Sequence, residues 1–127
     1  MIRPTLAGRS ILIVEDEALI ALDIAMEFEK LGAVVVQTQT LKQATDLIEA
    51  EGLSAAIIDH ALQDGDSSQL CERLAERGIP FVVYSGYSRG QLDVACHRGF
   101  VVDKPAHPAL LVATVQGLLK GRQSDLQ

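Results

Sequence analysis

Five polar residues stand close behind short apolar runs, where they could hold a cation and act on phosphate: Glu15, Asp16, Asp59, Ser85 and Lys104. Crowded carboxylates repel one another, and a hard divalent cation with oxygen ligands, such as Mg²⁺, compensates that repulsion. A carboxylate beside the cation can attack a phosphoryl group, while an ammonium and a hydroxyl stabilise the charge on its equatorial oxygens. These residue types indicate Mg²⁺-assisted phosphoryl chemistry if the fold brings them together.

The apolar runs predict the elements that would position these residues. They cover residues 11–14, 34–36, 55–58, 81–84 and 100–102, and their centres lie 19 to 26 residues apart. Short continuous apolar runs are typical of strands buried on both faces. Strands alternating with helices predict an α/β fold with a parallel sheet and right-handed crossovers. Because ligands of such sheets bind at the carboxyl ends of the strands, the five polar residues are expected to meet there.

Amphipathic segments between the runs predict five helices, at residues 18–31, 40–51, 66–78, 89–97 and 108–119. Thr40 with Gln43, and Asp66 with Gln69, have the spacing of a capping box. Pro108 suits the first turn of the last helix. The apolar side of the first helix is predicted to comprise Leu19, Leu22, Ile24, Met26 and Phe28.

The composition is that of one globular domain, with 127 residues, 48% of them hydrophobic and 22% charged. We place the domain at residues 8–121 and expect a frayed polar tail at residues 122–127. A net charge of −6 argues against nucleic-acid binding, which needs a clustered basic face. The apolar runs are too short to span a membrane. Cys71 and Cys96 are expected to be partly buried thiols in a reducing compartment, which predicts a cytoplasmic protein.

Four motifs carry a resemblance to a known family: ILIVEDE at residues 11–17, AIID at 56–59, VYSG at 83–86 and DKP at 103–105. Each is weak alone, but the four occur in order and at a specific spacing. With them the chain resembles a response-regulator receiver domain of the CheY-like type, from residue 10 to about residue 119. The resemblance implies a doubly wound (βα)5 fold of the flavodoxin-like class, with five parallel strands in the order 2-1-3-4-5.

The same resemblance implies roles for the acidic residues. Asp59 would accept a phosphoryl group from a histidine kinase or a phosphotransfer protein. Asp16 and Asp59 would bind Mg²⁺ directly, together with the backbone carbonyl of Ala61, and Glu15 would hold the ion through water. Glu17 is interpreted only as a charge at the start of a helix.

For the remaining site residues the resemblance implies contacts with the phosphoryl group. Ser85 would touch it and move on activation, Lys104 would pair with it, and the Lys104–Pro105 peptide would be cis. His60 is interpreted as a neighbour of the site without a role, and His107 as a residue that starts a helix.

One departure from the family pattern concerns the activation switch, and two further positions concern the lifetime of the phosphoryl group. The family usually has an aromatic switch residue where this chain has Val101, and strand alternation predicts that the neighbouring Phe100 faces the other side. Whether Phe100 replaces the missing aromatic stays open. The positions that flank the path of the hydrolytic water are Ala61 and Tyr87. Because Ala61 has no polar atom to hold that water, slow autodephosphorylation is expected.

Three classes of function compete. The leading one is a phosphoacceptor switch of two-component signal transduction, which catalyses only its own phosphotransfer and autodephosphorylation and acts through protein contact without an output domain. An aspartyl-phosphate hydrolase would carry a second Asp two residues after the nucleophile, where this chain has Ala61. A phosphate-independent binding module would have no need of Asp59 and Lys104.

The resemblance also implies a partner surface on the segment 89–97, the strand 100–102 and the last helix. The apolar residues of that helix exceed one narrow stripe: Leu110, Leu111, Val112, Val115, Leu118 and Leu119. Part of this excess is expected to be exposed, for contact with a kinase, a downstream protein or a second copy of the chain. No contact with nucleic acid or membrane is expected.

Overall fold

The computed structural model describes residues 5–50, 52–62, 65–86 and 94–125. Its strands are β1 (Ser10–Val14), β2 (Val34–Thr38), β3 (Ala55–Asp59), β4 (Ala61–Leu62), β5 (Gly65–Asp66), β6 (Phe81–Ser85) and β7 (Phe100–Asp103). Its α-helices are α1 (Ala18–Lys30), α2 (Leu41–Glu49), α3 (Ser68–Glu76) and α4 (Pro108–Asp125), and a 3₁₀ helix spans Val94–Arg98.

Five strands form one parallel sheet in the order β2-β1-β3-β6-β7. Counted along the chain within this sheet, that is the predicted order 2-1-3-4-5. The central strands β3 and β6 are buried along their whole length, as their continuous apolar runs predict. The edge strand β2 is less buried than its run predicts, because Val34 is exposed and lies at the open side of the sheet.

The two faces of the sheet carry separate apolar clusters. Alternation along β1 directs Ile11 and Ile13 to the cluster covered by α1 and α4, and Leu12 and Val14 to the cluster covered by α2 and α3. Burial on both faces leaves only the strand ends open to a ligand, which is the geometry that makes an edge site possible. No described helix has the length and apolar character needed to cross a bilayer.

The predicted apolar side of α1 is partly wrong. Its buried residues are Ala21, Ile24, Ala25 and Phe28, at the helical spacing i, i+3, i+4 and i+7. Leu19, Leu22 and Met26 instead face solvent and are 45% to 78% exposed. The small alanines let the helix approach the sheet closely, so the stripe turns toward them and away from the larger side chains.

The helix ends agree with prediction at some positions only. Thr40 caps α2 by accepting a hydrogen bond from the Gln43 backbone N–H at 3.2 Å. The N-cap of α3 is Ser67 and not the predicted Asp66.

The last two predicted helices also differ from the structure. Pro108 begins α4 as predicted, and the His107 ring accepts from the Ala109 N–H at 3.0 Å. Gly121 does not end this helix, which continues to Asp125, so residues 122–125 of the predicted polar tail are helical. That this tail frays stays a prediction. The predicted helix at 89–97 is represented by the 3₁₀ helix, and its first residues lie outside the described part of the chain.

Gly99 marks a close approach between the 3₁₀ helix and β6. A Cβ atom added to it would collide with the ring of Phe81 and would lie 2.7 Å from the Phe81 carbonyl oxygen. Only glycine fits at position 99 without a steric clash, because the connection into β7 passes directly over Phe81, the first residue of β6.

Candidate functional site

Three carboxylates meet at the carboxyl edge of the sheet. Glu15 and Asp16 follow β1, Asp59 ends the adjacent β3, and one oxygen of each lies within 4.8 Å of the others. Glu15 is 2% and Asp59 7% exposed, so both carboxylates are largely withdrawn from water. An all-oxygen, acidic donor set fits Mg²⁺, because this hard cation prefers carboxylate and water oxygens.

Lys104 reaches these carboxylates from the end of β7. Its Nζ donates to Asp59 Oδ1 at 3.2 Å and lies 3.7 Å from Glu15 Oε2. Burial lowers the pKa of Lys104, but the charges of Asp59 and Glu15 outweigh it and raise that pKa overall. The ammonium therefore stays charged beside Asp59, as needed for a group that neutralises a phosphoryl oxygen.

Glu15 is the most strongly perturbed carboxyl of the site. Its pKa is raised to about 7, mainly by burial and also by the charge of Asp59, whereas the Glu17 N–H and Lys104 oppose the shift. The Glu17 N–H donates to Glu15 Oε1 at 3.1 Å. Near neutral pH, Glu15 thus exchanges easily between a neutral acid and a carboxylate that attracts a cation.

This shift makes stability in metal-free buffer dependent on pH. Between pH 4.5 and about 7 the folded state holds a proton at Glu15 that the unfolded chain has lost, so the free energy of unfolding falls as the pH rises. Glu15 should contribute a loss of about 3 kcal/mol over that window. Urea unfolding at pH 5 and pH 8 with a chelator present will measure it.

Glu15→Gln, which cannot ionise, should remove most of this pH dependence. The matched control is Glu17→Gln, since Glu17 is exposed two residues away and its substitution should leave the dependence intact. A wild-type pH profile that Glu15→Gln does not flatten would contradict the assignment to Glu15.

Ser85 lies at the same edge, at the end of β6 between β3 and β7. It is 1% exposed, and its carbonyl accepts a hydrogen bond from the Lys104 backbone N–H at 2.8 Å. This bond continues the pairing of Ser85 with Asp103 and fixes where Lys104 leaves the sheet. Ser85, Asp59 and Lys104 thus stand at the ends of three neighbouring strands, as the sequence predicts.

The structure adds Tyr84, which the sequence analysis did not assign to the site. Its hydroxyl donates to the Ala106 carbonyl at 3.1 Å and accepts from the Ala106 N–H at 2.9 Å. The Lys104 Nζ lies 5.1 Å from the centre of the Tyr84 ring, within the range of a cation–π contact. Tyr84 therefore positions the loop that carries Lys104. The sequence signal for Tyr84 is a tyrosine inside a buried apolar run, because a buried hydroxyl needs a hydrogen-bond partner.

The other predicted residues are placed as follows. Ala61 begins β4, which forms a short hairpin with β5 directly after Asp59. The Lys104–Pro105 peptide is cis, as the resemblance implies. Val101 is buried and Phe100 is 48% exposed, so the two lie on opposite sides of β7 as alternation predicts. Tyr87 lies outside the described residues.

Comparisons with known proteins agree with this architecture. The model of the response regulator receiver domain family matches residues 11–116. The chain is 30% identical over 105 residues to the photosynthetic apparatus regulatory protein RegA of Cereibacter sphaeroides. The matched segment covers 81% of this chain but only 57% of that relative. The chain therefore spans little more than half of the relative's length.

Solved structures show the same fold. A CheY-like response regulator receiver domain protein from Methanospirillum hungatei JF-1 superposes with a TM-score of 0.85 at 24% identity, covering 94% of this chain and 99% of that one. The receiver domain of the sensor histidine kinase PA1611 from Pseudomonas aeruginosa PAO1, solved with magnesium in its active site cleft, has a TM-score of 0.77 at 22% identity and covers 90% and 99%. With the family match over most of its length, the chain belongs to the response regulator receiver domain family.

Proposed function

We propose that this receiver domain is a phosphoacceptor switch that takes a phosphoryl group on Asp59. The observation that carries the proposal is the position of Asp59, largely buried beside Glu15 and Asp16 and held by the Lys104 ammonium at 3.2 Å. A carboxylate oxygen of Asp59 attacks phosphorus, and the bond to the donor's leaving group breaks. Lys104 stabilises the negative oxygens, and the Ser85 hydroxyl donates to one of them.

Mg²⁺ is the cofactor that the acidic residues would hold. Asp16 and Asp59 would ligate it with the Ala61 carbonyl, and Glu15 through water, when Glu15 is ionised. Bound Mg²⁺ would supply charge neutralisation for the phosphoryl oxygens. The donor set supports this assignment, as does the magnesium in the cleft of the Pseudomonas receiver domain.

The test is the intact mass of the chain after incubation with Mg²⁺ and acetyl phosphate. A switch gains the mass of one phosphoryl group, and Asp59→Asn does not gain it. Asp46→Asn is the matched control, because it makes the same substitution at an exposed position on α2. No gain in the wild type would favour a phosphate-independent binding module, and catalytic turnover of the donor without a phosphorylated intermediate would favour a hydrolase.

Mg²⁺ should also stabilise the fold, because it binds carboxylates that repel one another only in the folded state. At ten times its dissociation constant it should add about 1.4 kcal/mol to the free energy of unfolding. Thermal unfolding at pH 8 with MgCl₂, against NaCl of equal ionic strength, will measure the effect. If Asp16→Asn gains as much as the wild type, the metal is bound elsewhere.

The partners follow from the proposed reaction. A histidine kinase or a phosphotransfer protein in the cytoplasm would supply the phosphoryl group. The predicted excess of apolar surface on α4 is partly present, since Leu110 is 51% exposed whereas Leu111, Val112 and Val115 are buried. With the exposed Phe100 of β7, Leu110 supports a contact with a downstream protein or a second copy of the chain.

The lifetime of the phosphoryl group should be limited by how well water is held near residue 61. Ala61→Asn supplies a polar side chain two residues after Asp59 and should shorten the half-life several-fold, since positioning the water is most of what a side chain can contribute. Intact mass after removal of the phosphodonor measures the decay. Ala61→Val, which adds bulk without a polar atom, is the matched control and should not accelerate it. An unchanged half-life in Ala61→Asn would show that residue 61 does not set the lifetime.

A further inference from the structure

Two cysteines that the phosphoryl site does not use lie against each other beside it. Cys71 is on α3 and Cys96 on the 3₁₀ helix, and their Sγ atoms are 3.3 Å apart although the residues are 25 positions apart in sequence. Both are free thiols with no exposed surface. A disulfide has an S–S distance of about 2.05 Å, so small side-chain movements would bring the two sulfurs to bonding distance.

Each sulfur of the pair has a polar neighbour. His60 Nδ1 lies 4.0 Å from the Cys96 Sγ, and the Cys71 thiol lies 4.0 Å from the Ser67 hydroxyl. The thiolate is the reactive form of cysteine. His60 directly follows Asp59, so the thiol pair is connected to the strand that carries the phosphoacceptor.

We propose that Cys71 and Cys96 form a reversible redox modification site, in which a peroxide closes an intramolecular disulfide. The Cys96 thiol loses its proton to solvent and its sulfur attacks a peroxide oxygen, the O–O bond breaks, and the leaving hydroxide takes a proton from solvent and departs as water. The Cys71 sulfur then attacks the sulfenic sulfur, and the S–S bond forms as a second water leaves. Two thiols and one hydrogen peroxide thus give one disulfide and two waters.

The 3₁₀ helix would be the side from which the oxidant reaches the pair, because Cys96 lies within it. Its i→i+3 hydrogen bonds have poorer geometry than those of an α-helix, and its last residues, His97 and Arg98, are exposed. Local opening of this short element would expose the Cys96 sulfur to hydrogen peroxide, which is close to water in size. The buried partner at 3.3 Å resolves the sulfenic acid before further oxidation.

The bond would link two elements that flank the site. The 3₁₀ helix leads into β7 and so to Lys104, whereas α3 follows the hairpin after Asp59. A disulfide that closes this 25-residue loop also restricts the unfolded chain. The oxidised protein is expected to melt on the order of 5–10 °C above the reduced protein.

The experiment treats the reduced 127-residue chain with stoichiometric hydrogen peroxide at neutral pH. Expected are the loss of both free thiols, a mass lower by two hydrogens, a cross-linked peptide joining Cys71 to Cys96, the higher melting temperature, and reversal of all four by dithiothreitol. Cys71→Ala and Cys96→Ala should each show neither the cross-link nor the stabilisation. The wild-type comparison of oxidised and reduced samples does not depend on how these variants fold.

Thiols that stay reduced in the folded chain would overturn the proposal, as would oxidation to sulfinic acid or a disulfide that forms only between molecules. The proposal does not depend on phosphorylation, because Asp59→Asn leaves both cysteines in place and should form the same disulfide.

Discussion

Lys104→Met should slow the phosphorylation of Asp59 by acetyl phosphate about 100-fold, the loss typical of removing one preorganised donor to a developing charge. Methionine keeps an unbranched side chain of similar length but removes the ammonium that lies 3.2 Å from Asp59 and 3.7 Å from Glu15. The initial rate of mass gain at saturating Mg²⁺ measures the effect. Saturating Mg²⁺ is needed because the substitution also removes the positive charge of Lys104 from beside the carboxylates of Asp59 and Glu15.

Two further variants separate charge from geometry. Lys104→Arg keeps the charge but presents it as a planar fork, so it should recover part of the rate that Lys104→Met loses. Lys120→Met is the matched control, since Lys120 is exposed on α4 and lies near Arg9 at the amino end of β1, not at the carboxyl edge of the sheet. A rate for Lys104→Met within twofold of the wild type would exclude Lys104 from the reaction.

Gly99→Ala should lower the free energy of unfolding by about 3 kcal/mol, at the upper end of what overpacking usually costs. The added methyl group would collide with the Phe81 ring and approach the Phe81 carbonyl oxygen at 2.7 Å. The ring is 2% exposed and lies within the apolar cluster, so it has little room to withdraw. Urea unfolding followed by circular dichroism measures the loss.

Gly117→Ala is the control that measures the effect of replacing glycine by alanine at a position without a steric clash. Gly117 is exposed on α4, and a Cβ there meets no atom within 4 Å. Because alanine favours a helix over glycine by up to about 1 kcal/mol, this variant should be as stable as the wild type or more stable. If both substitutions change stability equally, the contact with Phe81 is not what requires glycine at position 99.

The strands and the site residues could be predicted because each depends on a local pattern with a single outcome. An apolar run such as residues 55–58 is buried on both faces when its strand lies inside a parallel sheet and not at its edge, so Asp59 at its end has to reach the carboxyl edge. The confirmed positions of Glu15, Ser85 and Lys104 at this edge follow from the same rule. Their chemical roles remain predictions.

The features that sequence reasoning missed depend on contacts between distant residues. The stripe of α1 was misplaced because this helix has more apolar residues than one stripe holds, and only packing against the sheet selects Ala21 and Ala25 over Leu19 and Met26. Residue type predicts partial burial of Cys71 and Cys96, and both are fully buried. Their mutual contact was not predicted, since it needs the relative positions of α3 and the 3₁₀ helix.

The two hydrogen bonds between the Tyr84 hydroxyl and the Ala106 backbone have a consequence for local unfolding. Amide protons in loops ordinarily exchange with solvent deuterium quickly, because few bonds need to break. The Ala106 amide is in a connection between β7 and α4, yet it donates to a hydroxyl fixed in the buried strand β6. We therefore expect the Ala106 amide to exchange more slowly than a loop amide that bonds only to water, because the loop that presents Lys104 must first separate from the Tyr84 hydroxyl.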